Sequence, residues 1–165
     1  MKKVILGLVT ALMFFGCSSK AVEENVTPIL VVTQSLELNL NDQHEKSVSI
    51  PANTTTAIFA FSKDGAHVCN DYFVTKAPTY LADNNAVFIA DVSAAPSLIR
   101  SMFIMPGLKD FKHTVLILDS EEVAAGYRAK MDTEKIVVVS LDAGKITSIK
   151  NISTEAELIA EVEAK

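Results

Sequence analysis

Cysteine is scarce in this chain. Only Cys17 and Cys69 occur among 165 residues, so there is no Cys-x-x-Cys pair and no dithiol exchange within one motif. Histidine is nearly as rare, at positions 44, 67 and 113. His67 and Asp71 are four apart and share a helical face, but a metal needs a third ligand that the sequence does not offer. No metal and no other cofactor is expected. Basic residues are in the minority, 15 against 20 acidic ones. That balance leaves no basic patch for nucleic acid and no Lys/Arg cluster to hold anionic lipid. Six glycines form no glycine-rich phosphate loop. No Ser-His-Asp spacing and no paired carboxylates emerge, and Asp83 to Asn85 and Glu121-Glu122 read as a turn and a solvated face. Enzyme chemistry is therefore not the first expectation.

The ends of the chain carry more information. Lys2 and Lys3 precede an apolar run, Val4 to Phe15, broken only by Gly7 and Thr10. About twelve helical residues span about 18 Å, short of a hydrocarbon core of about 30 Å. A basic start, a short apolar core and small Gly16 read as a secretory signal. The run ends "FFGCSSK", which resembles the lipobox of bacterial lipoproteins, with Phe14 where leucine is usual. The resemblance implies a signal peptide over residues 1–16 and Cys17 as the acylated first mature residue, palmitate among its chains. Residues 17–33, polar and acidic up to Thr27 and Pro28, read as the lipidated end and tether. Residues 34–165 read as a single domain. The implied place is the periplasmic side of the envelope, held to the membrane by lipid. Ser18 after the cysteine resembles the outer-membrane sorting signal. With Cys17 acylated, Cys69 has no partner within the chain.

Along the domain, Leu36, Leu38 and Leu40 alternate with polar residues, and "NDQHEK" turns the chain into Val48 and Ile50. This predicts a hairpin from Leu36 to Ile50. Thr55 to Phe61 is β-branched and aromatic on both faces, as in a central strand. Asp64-Gly65 reads as a turn, with Asp64 capping a helix over Ala66 to Val74. Ala86 to Ala90 is a second buried strand, parallel to the first by way of the crossing helix. Ser97 to Phe103 is helical, and Pro106-Gly107 should break it. His113 to Asp119 and Ile136 to Leu141 are further strands. Asp142 to Lys145 turns the last strand into a hairpin with Gly144 at positive φ. Thr154 and Glu157 form a capping box on a final helix whose face is Leu158, Ile159 and Val162. The order predicts an α/β sandwich: a mixed central sheet, a leading β-hairpin and flanking helices.

From Leu36 to Lys165 this pattern resembles the thioredoxin-like superfamily, especially its extracytoplasmic reductases and peroxiredoxins. "LNDQHEKSVSI" stands where their leading hairpin does, "TAIFAFS" and "NAVFIADVS" where the two buried strands do. "KHTVLILD" looks like the strand after the cis-proline loop, with His113-Thr114 in place of Pro-Thr. The departures fall on the chemistry. The redox position at the helix start reads Lys63 to His67, without a thiol. Counting back from Cys69 in the peroxiredoxin pattern Pro-x-x-x-Thr-x-x-Cys gives Ala66 and Ser62, neither of which fits.

Two functions follow. One is a redox-inactive, lipid-anchored module that binds an envelope protein or ligand at the old active-site surface: Lys63, Asp64, Gly65, His67 and His113. The resemblance places the His113 loop against the start of the first helix, where a histidine beside Asp64 has the chemistry of a base. The other is a one-cysteine thiol enzyme, peroxidase-like or exchanging thiols, built on Cys69. The candidate thiol lies on one helix face with Tyr72 and Phe73, which favours a core cysteine. No catalytic residue is assigned.

Overall fold

A computed structural model describes residues 26–164; the signal segment and Cys17 lie outside them. A seven-stranded sheet runs in the order β2-β1-β5-β4-β3-β6-β7. Its strands are β1 Asn39–Asp42, β2 Ser47–Ser49, β3 Thr56–Ala60, β4 Ala86–Asp91, β5 Leu116–Leu118, β6 Ile136–Asp142 and β7 Lys145–Ile152. The leading hairpin β1–β2 is antiparallel, as are β3–β6 and β6–β7. The two buried strands pair in parallel from Thr56↔Ala86 to Ala60↔Ala90, as expected. β5 extends the parallel set on the far side of β4.

Every residue of β3 is buried, because both faces of the sheet are covered. Ile58 and Ala60 point into one core with Phe88, Ala90, Ile136 and Val138. Ala57 and Phe59 point into the other with Ile89, Val137 and Val139. The first core is closed by α1 Lys63–Phe73, α2 Tyr80–Asp83, α4 Met105–Lys109 and α6 Glu155–Glu163. The second is closed by α5 Glu121–Arg128 and by the N-terminal residues Leu30, Leu36 and Leu38.

Local rules account for much of this. The capping box on α6 forms as expected, with both Thr154 and Glu157 bonded across the first turn. The β6–β7 turn has Gly144 at φ 78°, preceded by Ala143 at 47°. Two positive φ values in a row match the right-handed twist of the strands they join.

Three expectations need correction. First, α1 begins at Lys63, three residues before Ala66, and its cap is Ser62 rather than Asp64. Ser62 is extended, and its hydroxyl accepts from Gly65 N–H at 3.2 Å. Gly65 is thus the third residue of a helix and no hinge. A Cβ there would meet Ser62 Oγ at 3.3 Å and Ile136 Cγ1 at 3.4 Å, so glycine lets the helix lie close on β6. Second, Pro106-Gly107 does not end the helical stretch that starts with α3 Ser97–Ile99. A π-helical turn, Arg100–Ile104, follows α3, and Pro106 sits in the first turn of α4. There its missing N–H and fixed φ are tolerated. Glu121-Glu122 is solvated as expected, and it forms the acidic first turn of α5, capped by Ser120. Third, the packed chain reaches further toward the N-terminus than residue 34. Ile29 N–H donates to Gly126 O of α5 at 2.9 Å, and Leu30 is buried. A Cβ on Gly126 would lie 2.7 Å from Ile29 Cδ1, so this crossing also needs a glycine.

Candidate functional site

The residues expected to form one surface separate into two environments. Lys63, Asp64 and His67 are exposed on the first two turns of α1, and Gly65 is buried beneath them. The amides there are largely used. Gly65 N–H is held by the Ser62 hydroxyl and Ala66 N–H by the Ser62 carbonyl. Those two amides are not free to receive an anion.

Cys69, one turn further on, has no accessible surface. It packs with Tyr72, Phe73 and Phe88 in the first core. Burial alone drives its thiol pKa far upward, which keeps the sulfur protonated and unreactive. It is the one free cysteine among the described residues.

His113 is only 2 % exposed. Its Nε2–H donates to Asn70 Oδ1 at 3.0 Å, in the middle of α1 rather than at its start. The ring stacks on Phe111 at 5.0 Å and meets Phe73 edge-on at 5.5 Å. Nδ1 has no partner. Desolvation in this aromatic nest lowers the imidazole pKa to about 4. His113 is a neutral core histidine, sealed from the surface that Lys63, Asp64 and His67 share.

Two residues that the sequence did not single out hold it there. Gln43, 2 % exposed in the hairpin turn, donates to His113 O at 2.8 Å and accepts from Val115 N–H at 2.9 Å. Asn70 completes the chain of contacts from hairpin to loop to helix. Neither carries a local signal, because the partners are 70, 72 and 43 residues apart.

A second polar cluster lies where β4 and β5 end. The Asp91 side chain is 2 % exposed; its Oδ1 accepts from Ser93 N–H at 2.9 Å and Ser93 Oγ at 2.6 Å. Arg128 of α5 stands 3.5 Å from Asp91 Oδ2 and also pairs with Glu121. Arg100 donates to the Asp119 carbonyl at 2.7 Å. These contacts latch the helices that follow the two strands. Ser93 has no histidine partner, so the cluster lacks a base that would activate it. No group of three potential metal ligands occurs among the described residues. A groove of about 730 Å³ lies between Leu36–Asn39, Ser49–Ala52 and the Ala143-Gly144 turn, with no residue of α1 in its lining.

The architecture has solved counterparts. A candidate thioredoxin from Neisseria meningitidis superposes with a TM-score of 0.53 at 16% identity, covering 81% of this chain and 90% of that one. StoA from Bacillus subtilis superposes at 0.50 with 10% identity, covering 79% and 99%. The fold is thioredoxin-like. At such identities the likeness is one of fold alone. No family model matches the sequence, and no curated protein matches it significantly.

Within this thioredoxin-like domain the topology corrects one alignment. The strand expected after the loop that faces the first helix was His113 to Asp119. That stretch instead forms β5, parallel to β4 and two strands away from β3. The strand antiparallel to β3 and in contact with the start of α1 is β6, through Ile136 against Gly65. The loop that leads into β6 beside the start of α1 is therefore Asp132-Thr133-Glu134-Lys135, and His113 is removed from it.

Proposed function

We propose that this chain is a lipid-anchored protein of the bacterial envelope whose thioredoxin-like domain works by binding, without thiol chemistry. One observation carries the second half of this reading: the only thiol in the domain is Cys69, and it is buried among aromatic rings, a turn past the helix start. A redox thioredoxin needs an accessible thiol where helix amides lower its pKa. Here Lys63 and Asp64 occupy that place, and Ser62 takes up the Gly65 amide. The surface left for a partner is the exposed rim Lys63, Asp64 and His67 with the neighbouring loop 132–135. The anchoring half rests on "FFGCSSK". A one-cysteine thiol enzyme would need Cys69 to reach solvent.

Two measurements test the reading. Cys17→Ser should abolish acylation and membrane retention; a processed Cys17→Ser protein still sedimenting with membranes refutes the anchor. In the same soluble variant, Cys69 should alkylate slowly at neutral pH until the protein is unfolded, and insulin should not be reduced. Alkylation at the speed of a thiolate with pKa below about 7 would turn the assignment toward the thiol enzyme. In-situ crosslinking from positions 63 and 67 then identifies the partner.

A further inference from the structure

The stretch 97–109 divides its apolar residues between two sides. Ile104, Met105 and Leu108 pack into the first core. Leu98, Ile99, Met102 and Phe103 face solvent, with exposures of 65, 44, 58 and 66 %. Four large apolar side chains on consecutive turns form a patch, and such patches mark interaction surfaces. Two of the four sit on the π-helical turn Arg100–Ile104. Turns of that kind are infrequent and concentrate at functional positions.

The chemistry of the patch selects its occupant. Protein interfaces carry about one hydrogen bond per 100–200 Å² and a polar rim. This face offers almost no outward donors. Ser101 Oγ donates back to Leu98 O at 3.2 Å, and the Arg100 guanidinium turns inward to the Asp119 carbonyl. A hydrocarbon boundary asks for no such groups. Charge does not oppose this. Residues 97–109 contain no acidic side chain; Arg100 turns inward, Lys109 pairs with Glu45 at 3.0 Å, and Asp110 and Lys112 follow. An apolar stripe with no acidic side chain in it can lie in the plane of a bilayer surface by burial of apolar area alone.

The tether makes this reachable. Residues 18–25 separate Cys17 from the described chain. Extended, they span about 30 Å, roughly the width of a domain of this size. A chain held by Cys17 therefore keeps the patch at high effective concentration beside lipid.

We propose that the segment 97–109 docks on the bilayer surface, seating Leu98, Ile99, Met102 and Phe103 at the boundary between headgroups and acyl chains. The occupant rests on the anchor reading given above, but the contact has its own assay. The chain contains no tryptophan, so Phe103→Trp and Leu98→Trp each install a single fluorophore at an exposed site. The acylated full chain is reconstituted into phosphatidylethanolamine–phosphatidylglycerol vesicles, with acyl chains brominated or plain. An indole seated about 5–10 Å into the boundary should lose about half its emission to the brominated lipid. Val74→Trp, at an exposed site on the end of α1, should lose none. If the protein sediments with vesicles and neither patch indole is quenched, docking is refuted while anchoring stands. If the chain proves not to be acylated, the same variants are mixed with vesicles directly. Quenching then supports docking without an anchor, and none refutes it. Shielding of the indole without vesicles, whether it rises with protein concentration or on adding envelope protein, overturns the lipid assignment in favour of a protein interface.

Discussion

Acid should expose His113 as the weak point of the folded state. Its imidazole is neutral in the nest of Phe73, Phe88 and Phe111, with a pKa lowered to about 4 from an unfolded value of 6.5. The unfolded chain therefore takes up a proton on this ring at a pH where the folded chain refuses it. Stability is fully present above pH 6.5 and is lost as pH falls from there toward 4. Between pH 7 and pH 5 the loss from this one group is about 2 kcal/mol. Few carboxylates titrate in that window, which separates the histidine from general acid effects.

The assay is urea unfolding at pH 7, 6 and 5 for the native sequence and for His113→Gln. Glutamine can still donate to Asn70 but does not titrate. With a urea dependence of about 2 kcal/mol/M for a domain of this size, the native midpoint should fall by about 1 M over the two pH units. The His113→Gln midpoint should fall much less, whatever its starting value. His44 and His67 are exposed in both proteins. Midpoints that decline in parallel would refute the account of His113 as a buried neutral ring.

Two further outcomes follow from side chains that hold the rim of the sheet. Ser62→Ala removes the hydroxyl that caps α1 and should lower stability by about 1 kcal/mol, read as a drop in melting temperature with the circular dichroism of the native state unchanged. Arg128→Met leaves the buried Asp91 carboxylate with Ser93 alone and should destabilise by about 3 kcal/mol. Adding Asp91→Asn should restore part of that loss, and a purely additive double variant would show that the pair is not coupled.

Much of the frame was legible because it is written in local pattern. Alternating leucines placed the hairpin, two doubly apolar runs placed the parallel pair, and Thr154 with Glu157 marked α6. Misreadings arose where a local signal lost to packing. Asp64-Gly65 is a strong turn signal, yet Ser62 caps the helix ahead of it and Ile136 holds the glycine close. The apolar face of α5 amounts to Ala124 and Tyr127, too short a stripe to announce a helix. At the candidate site, the burial of Cys69 was readable from its spacing to Tyr72 and Phe73. The placement of His113 was not. It depends on Gln43 and Asn70, and on β5 inserting beside β4 instead of beside β3.

The start of α1 is held by its own cap. A catalytic thiol at a helix start depends on free amides to favour its charged form. Ser62 supplies a neutral oxygen to one of those amides and is fixed by it. The junction is a capped helix end. Gly65 then serves only the approach of α1 to β6, and Cys69 only the aromatic core behind it. What the junction still presents to solvent is Lys63, Asp64 and His67. Those side chains offer charge and hydrogen bonds to a partner, but among them there is no nucleophile with a sulfur's reactivity.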